Sequence, residues 1–219
     1  MKYCSLSGVI IFLIVILFTS CKQSPLCFRT GADYFPLQIN NSATYSTLPS
    51  NNTIKVAVTD TNTIYGKQSF IVERNGKKEY WCKGKEKIEK LYFYTMNILG
   101  REDTIAICWL PWLELPLSLH NSWTYSFNTS KVVLGDTIKI TLHTTANITG
   151  INGNEYQIEI NFLEEKISTM FGSGTTNTTY YEWYRPNLGL FKKRYDDTTT
   201  ETLIEFVTEN DTLLSTTNK

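Results

Sequence analysis

The chain of 219 residues has little of what most catalytic, metal-binding or nucleic-acid-binding sites are built from. It holds two histidines, and its 21 Lys and Arg residues balance its 21 Asp and Glu residues. A neutral chain lacks the positive charge with which proteins attract nucleic acid. No Gly-x-Ser-x-Gly segment is present, and Gly172-Ser173-Gly174 lacks the Lys-Ser/Thr of a phosphate-binding loop. We therefore predict no nucleic-acid partner, no metal, no cofactor and no catalysis.

Side chains that favour β-strands are abundant by contrast. Hydrophobic residues make up 42% of the chain and aromatic residues 13%, with 13 Tyr, 11 Phe and five Trp. Aromatic and β-branched side chains pack well on a pleated sheet. The length is sufficient for one large or two small domains with a core. The composition thus predicts a mainly β protein.

The longest apolar run is short and stands at the N-terminus, over Leu6–Phe18. A helix of this length reaches about 20 Å, less than the ~30 Å hydrocarbon core of a bilayer, which favours a cleaved signal peptide over residues 1–20. The boundary Thr19-Ser20-Cys21 resembles the lipobox of bacterial lipoproteins, although Phe18 stands where Leu is usual. A secreted or unprocessed terminus is the alternative. The resemblance implies acylation of Cys21 and attachment to the membrane through its acyl chains.

A short polar tether over residues 21–32 follows and carries no acidic run. Some bacterial lipoproteins use such a run as a signal for surface export. Its absence favours a lipoprotein of the outer membrane that faces the periplasm.

Three pairs of segments match in the same order along the chain: Pro36–Ser46 with Pro116–Ser126, Thr53–Val58 with Thr137–Leu142, and Ile64–Gly66 with Ile151–Gly153. The first pair matches at identical spacing. Ordered matches indicate an internal duplication. We predict a first β repeat over residues 33–110 and a second over residues 111–208, fused into one domain, with a polar tail over residues 209–219.

Strand signals alternate with turns inside each repeat. The predicted strands are Thr53–Asp60, Gln68–Arg74, Glu79–Cys82, Lys90–Met96 and Thr104–Trp109 in the first repeat, and Ser122–Asn128, Asp136–Thr145, Glu155–Leu163, Thr178–Tyr184, Gly189–Tyr195 and Thr200–Thr208 in the second. Asn75-Gly76 is typical of a type I′ hairpin turn, because both central positions of that turn need positive φ. Lys83–Leu91 is the one stretch that could form a short helix.

The segments Pro116–Tyr125, Ile151–Gly153 and Trp183–Lys192 together resemble a group of uncharacterised bacterial lipoproteins. In that group a Pro-Leu-x-x-Gly-Asn-x-Trp-x-Tyr segment comes first and a Gly-x-Gly-Leu-Val-Lys segment last. The chain departs from the pattern where glycine is usual, at Asn40, His120 and Asn187. The resemblance implies an antiparallel sheet in the form of an open half-barrel like that of lipoprotein carriers, and it implies no known activity.

Neighbouring aromatic residues on one strand point to opposite faces, so the rings of this chain must occupy both faces of the sheet. Either both faces are buried, as in a sandwich, or a concave apolar surface is open to a ligand or partner. We take Trp81, Trp109, Trp112 and Trp183 as the candidate apolar ligand face. Trp123, whose counterpart in the first repeat is Ala43, is instead predicted to lie in the core.

Two functions fit these features. The first is a lipid-anchored binding or scaffold module of the cell envelope, without catalysis, that contacts envelope proteins. The alternative is a carrier-type half-barrel that holds an acyl chain or another apolar ligand. Export also permits a disulfide, for which Cys82 and Cys108 are the candidate pair.

Overall fold

The computed structural model describes residues 33–208 and 212–215, and every regular element in these residues is a β-strand. The strands are β1 Ser42–Leu48, β2 Thr53–Ile64, β3 Lys67–Arg74, β4 Lys77–Lys83, β5 Lys87–Ile98, β6 Arg101–Glu114, β7 Ser122–Val133, β8 Asp136–Asn152, β9 Glu155–Ile167, β10 Gly174–Arg185, β11 Gly189–Arg194, β12 Thr200–Val207 and β13 Thr212–Ser215. The prediction of a mainly β protein is confirmed.

All strands belong to one antiparallel sheet with the order β6-β5-β4-β3-β2-β1-β12-β11-β10-β9-β8-β7, and β13 pairs with β12. The two edge strands, β6 and β7, follow each other in the chain. The sheet curls until these edges lie beside each other along a seam, where Lys131 of β7 donates to the carbonyl of Thr104 of β6 (Nζ–O 2.7 Å). The fold is therefore a half-barrel whose sheet is nearly closed into a barrel, with a seam between β6 and β7.

Two-residue turns connect several of the hairpins, and they need positive φ at both central residues. Asn75 and Gly76 have φ values of 47° and 77°, which confirms the predicted type I′ turn. Leu99-Gly100 and Leu134-Gly135 have the same signature although leucine rarely adopts positive φ. In each turn the glycine takes the second position, which keeps the strain to one residue.

The two copies of the repeated motif form turns of the same geometry. Asn40 and His120, at the same place in each copy, have φ values of 72° and 69°. The backbone bonds to the following hairpin strand are also equivalent: Asn40 and Asn41 with Val58, and His120 and Asn121 with Ile148. Val58 therefore corresponds in space to Ile148 rather than to Leu142, because the β7–β8 hairpin is longer than the β1–β2 hairpin.

The core fills the concave side of the curled sheet. Its main cluster joins side chains of β2 to β6 with side chains of β7 to β10, which lie far apart in the strand order. Trp123 belongs to it and is 5% exposed, so its predicted core position is confirmed. A second cluster joins Cys108 and Leu110 of β6 to Ile140 and Leu142 of β8 near the seam. Curling is what buries these residues, since a flat sheet would leave them in water.

The predicted strands all exist, and most are longer than predicted. The short helix predicted for Lys83–Leu91 is wrong: β4 ends at Lys83 and β5 begins at Lys87, with a bend between them. β6 also runs through the predicted repeat boundary at residues 110 and 111, and the connection to β7 spans residues 115–121. No helix in the described part of the chain is long and apolar enough to cross a membrane.

Candidate functional site

A cavity of about 210 Å³ opens into the concave side of the sheet. Its walls combine apolar and aromatic side chains with charged ones. They come from the segment before β1 and from strands of both halves of the chain: Phe35, Pro36, Leu37, Asn41, Ser42, Ala43, Tyr45, Val56, Val58, Val72, Arg74, Glu79, Trp81, Lys90, Trp112, Glu182, Tyr184, Leu188, Gly189, Leu190, Lys193, Tyr195 and Phe206. Neither half could form this cavity alone.

Strand alternation and one β-bulge direct the key side chains inward. On β10, Glu182 and Tyr184 alternate with outward-facing neighbours and reach the cavity. Ile88 of β5 pairs with Leu113 of β6, and the next residue of β5 pairs with Pro111. Trp112 is therefore the extra residue of a bulge in β6. Alternation from the inward Leu110 places the Trp112 indole in the cavity, and the bulge lets the next residue, Leu113, point to the same side.

The aromatic rings pack edge to face or at a tilt, and one pair, Trp112 and Tyr180, is stacked. Phe35 lies 4.6 Å from Trp81 between ring centroids, and Trp81 lies 5.6 Å from Trp112 at an interplanar angle of 84°. Trp112 in turn lies 6.0 Å from Tyr180. Edge-to-face contacts are favourable because the positive ring edge meets the negative ring face. The rings thus form one connected wall.

Lys90 and Glu79 form the first of three ion pairs in this interior. The Lys90 ammonium donates to Glu79 (Nζ–Oε1 2.8 Å) and lies over the rings of Trp81 and Trp112, 5.0 and 5.3 Å from their centroids. Trp81 donates to the other carboxylate oxygen (Nε1–Oε2 3.1 Å). Burial alone would raise the pKa of Glu79, but Lys90 and the Trp81 donor outweigh it and the pKa lies below its usual value.

Lys193 and Glu182 form the second pair, with Nζ 3.0 Å from Oε1. The second oxygen of Glu182 accepts hydrogen bonds from the Tyr184 hydroxyl at 2.5 Å and from Trp112 Nε1 at 3.0 Å. Burial and the nearby Glu182 carboxylate raise the pKa of Tyr184 well above its usual value. Tyr184 therefore stays protonated and keeps donating. The Lys193 ammonium lies 4.1 Å from the Tyr180 ring centroid.

Arg74 and Glu201 form the third pair. Glu201 also accepts a hydrogen bond from the Tyr195 hydroxyl at 2.8 Å, and the Arg74 guanidinium lies 5.7 Å from the ring centroid of Tyr45. Burial lowers the pKa of Arg74, but Glu201 more than reverses this effect and the pKa lies above its usual value. The charges of the three pairs cancel, so the interior is polar but neutral.

In two of the three ion pairs, the basic side chain is clearly more exposed to solvent than the carboxylate. The Lys193 side chain is 13% exposed against 1% for Glu182, and Arg74 is 23% exposed against 6% for Glu201. Each of the three carboxylates accepts from a cation and from at least one Trp or Tyr donor. An ammonium has three donors and a guanidinium five. Unused donors thus remain on the three cations, and the Oδ1 of Asn41 on the cavity wall is a buried acceptor without a partner among the described residues.

Of the four residues predicted as an apolar ligand face, the structure brings together Trp81 and Trp112. Trp109 and Trp183 do not belong to this surface, and that part of the prediction is wrong. Trp109 has the opposite orientation to the inward Leu110 beside it, and Lys67 lies 5.3 Å from its ring centroid. Trp183 lies between two inward residues of β10, so the alternation of side chains along the strand points it outward.

The predicted disulfide between Cys82 and Cys108 is not formed, since both thiols are free. Cys82 pairs across strands with Glu89, and Cys108 pairs with Tyr92. Positions 89 and 92 of β5 have opposite parity, so the two cysteines point to opposite faces of the sheet. Burial raises the pKa of Cys108 to about 11.

Cys21, the predicted acylation site, and the tether lie outside the described residues. Within the described ranges, no group of three or more His, Cys, Asp or Glu side chains could hold a metal ion. His143 bonds to Ser126 (Nδ1–Oγ 2.7 Å), and His120 occupies its positive-φ turn. His143 therefore has a local role in its strand pair, and His120 has a local role in its turn.

Sequence reasoning missed the charged residues of the cavity, above all Arg74, Lys90, Glu182 and Lys193. One signal for Glu182 was available: it occupies the same alternating positions as Tyr180 and Tyr184, so a strand that buries the two tyrosines also buries the carboxylate. For the other residues no signal exists before the strands are paired across the half-barrel. No protein-family model, curated protein sequence or solved structure matches this chain.

Proposed function

We propose that the protein is a non-catalytic binding module of the bacterial cell envelope, and that it holds a small ligand in the cavity of its concave face. The observation that carries the proposal is the cavity itself, walled by Trp81, Trp112 and other rings and opening into the curled sheet. Ligand sites are typically concave and mostly apolar with a few polar groups that fix orientation. The three ion pairs supply those polar groups.

The size of the cavity limits the ligand. Its volume of about 210 Å³ lies between a benzene-binding cavity of about 150 Å³ and the lower end of drug-sized pockets at about 300 Å³. One ring or a short chain fits this space, whereas a long acyl chain would extend beyond it. Among the two predicted functions, the cavity therefore favours a carrier or receptor for a small molecule over a scaffold.

The charged side chains support binding rather than chemistry. A general base needs a carboxylate oxygen that is free to accept a proton from the substrate. Glu79, Glu182 and Glu201 each accept from a cation and from a ring donor instead. Fully partnered groups orient a ligand without reacting with it.

A cavity-filling substitution tests the proposal. Ala43 lines the cavity, whereas Thr44 beside it on β1 faces the other side of the sheet. We expect Ala43→Leu to weaken binding of small aromatic probes such as 2-phenylethanol and phenylacetate at least tenfold, and Thr44→Leu to leave binding unchanged. Isothermal titration calorimetry and the melting temperature of both variants are the measurements. Equal binding by both variants, with both folded, would rule out the cavity as the site.

The envelope location rests on the predicted acylation of Cys21. If the resemblance to the lipobox holds, the mature chain begins at Cys21 and carries acyl chains that anchor it to a membrane. Mass spectrometry of the N-terminal peptide decides this point. An unmodified Cys21, or a chain that still begins at Met1, contradicts it without affecting the cavity proposal.

A further inference from the structure

The charged side chains of the cavity offer more free hydrogen-bond donors than acceptors, and the size and apolarity of the cavity do not explain this. Each carboxylate already accepts from a cation and from a ring donor, and in two of the three pairs the carboxylate is clearly the less exposed partner, whereas the ammonium and guanidinium groups have donors to spare. Resting on the proposed function, we infer that the ligand is a small organic acid. Its carboxylate would face Lys90, Lys193 and Arg74, and its apolar body would contact the rings of Trp81 and Trp112.

Hydrogen-bond capacity supports an acceptor on the ligand. Lys90 directs one described donor to Glu79 and Lys193 directs one to Glu182, so each ammonium can donate further. A carboxylate accepts several hydrogen bonds and gains most from charged donors in a partly dehydrated site. A ligand that offered only donors would find one unpartnered acceptor, Asn41 Oδ1, and would otherwise compete with ring donors such as Trp81 and Tyr184 for carboxylates that are already occupied.

Charge argues against a cationic ligand. Aromatic cages often bind ammonium ligands over the ring faces. Here those faces are already occupied by the chain's own cations: Lys90 lies over Trp81 and Trp112, and Lys193 lies over Tyr180 and Tyr195. A second cation would meet repulsion from both ammonium groups at the same rings.

Net charge also limits the ligand to one negative charge. Three cations and three carboxylates cancel in this interior. A monoanion adds one net negative charge, which small shifts of the nearest cations can stabilise, whereas a dianion adds two and its burial costs more. With about 210 Å³ of space, the class is a monocarboxylate with one ring or a short chain.

The test compares phenylacetate with 2-phenylethanol, which share a ring and carbon skeleton but differ in the carboxylate. Calorimetric titration of the full wild-type protein at neutral pH should give at least about tenfold tighter binding of the acid, which corresponds to about 1.4 kcal/mol. In Lys90→Met/Glu79→Gln, which removes one pair without leaving a lone charge, the preference should fall by at least about threefold. The matched control is Arg101→Met/Asp103→Asn, which removes an exposed pair on the β5–β6 hairpin and should keep the wild-type preference.

Each outcome gives a decision. Equal binding of acid and alcohol to the wild type overturns the acid assignment but leaves the cavity proposal standing. Absence of binding by either probe overturns both. A preference that Lys90→Met/Glu79→Gln retains in full overturns the contact of the carboxylate with Lys90. The wild-type comparison needs no variant, so it decides even if the double variant fails to fold.

Discussion

Replacing Trp123 by alanine tests whether the concave side of the sheet is the core on which the fold depends. The indole is 5% exposed and packs in the main cluster with side chains of strands from both halves. A buried Trp covers roughly 150–250 Å² and its truncation to Ala typically costs about 3–5 kcal/mol. Because a domain is stable by only about 5–15 kcal/mol, this loss is a large share of the total. We expect Trp123→Ala to lower the free energy of unfolding, measured by urea denaturation, by about 3–5 kcal/mol.

Trp183→Ala is the matched control, because it removes the same side chain from the outward, partly exposed face of β10. Its cost should be about 1 kcal/mol, as for most substitutions away from a core. Ser122→Ala, beside Trp123 but exposed, should be near neutral. Trp123→Phe should cost much less than Trp123→Ala, since the indole nitrogen has no hydrogen-bond partner among the described residues. A Trp123→Ala protein that loses less than about 1 kcal/mol, or no more than Trp183→Ala, would refute the core assignment.

Three further outcomes follow from local geometry. His120→Gly should raise the free energy of unfolding by about 1 kcal/mol in urea denaturation, because φ is 69° and glycine adopts this conformation without strain; no gain would contradict the strain argument. Asp136→Asn should lower the melting temperature at neutral pH, because Asp136 accepts bonds from Ser168, Thr169 and Met170 that hold its pKa below the usual value. Since that stabilisation is present above the unfolded pKa of about 4 and is lost as pH falls through the folded pKa, the difference from wild type should shrink in acid; a constant difference would point to packing instead. Non-reducing peptide mapping should recover Cys82 and Cys108 unlinked, and a linked peptide would contradict the free thiols of the structure.

Strand content and most strand positions could be predicted because they depend on local sequence. The strand over Glu155–Leu163 and the turn at Asn75-Gly76 both depend on a few neighbouring residues, and both appear in the structure as predicted. The ends of the strands could be predicted less well from the sequence. Turns such as Leu99-Gly100 and Leu134-Gly135 use a leucine where turn statistics favour asparagine, and the strands beside them extend further than their sequence indicates.

The candidate site could be predicted from the sequence only in part, since it depends on pairing between strands far apart in the chain. The predicted ligand face joined four tryptophans by residue type, but strand alternation divides them between two faces. Trp112 shares the alternation of the inward Leu110 and Trp109 has the opposite one, but only the pairing of β6 with the other strands shows that this face meets the cavity. Arg74 of β3 and Glu201 of β12 meet only in the folded sheet, where β2 and β1 lie between their strands.

The ion pairs themselves need an explanation, because burying charge is costly. Replacing a buried ion pair by well-packed neutral side chains is often neutral or stabilising, whereas removing one partner alone leaves an uncompensated charge and destabilises. The pairs are therefore poorly explained by stability and better explained by recognition of a ligand. We expect Lys90→Met alone to lower the free energy of unfolding by roughly 1–3 kcal/mol, because Glu79 then loses its cation.

Lys90→Met/Glu79→Gln should restore stability to within about 1 kcal/mol of wild type, because the Gln oxygen still accepts from Trp81 and no charge is left unpaired. The same protein should have lost part of its preference for phenylacetate over 2-phenylethanol. Urea denaturation of the wild type, both single variants and the double variant gives the coupling energy of the pair directly. A double variant that stays well below the wild type in stability would show that the charged side chains stabilise the fold, and the argument that these charges are kept for a ligand would then fail.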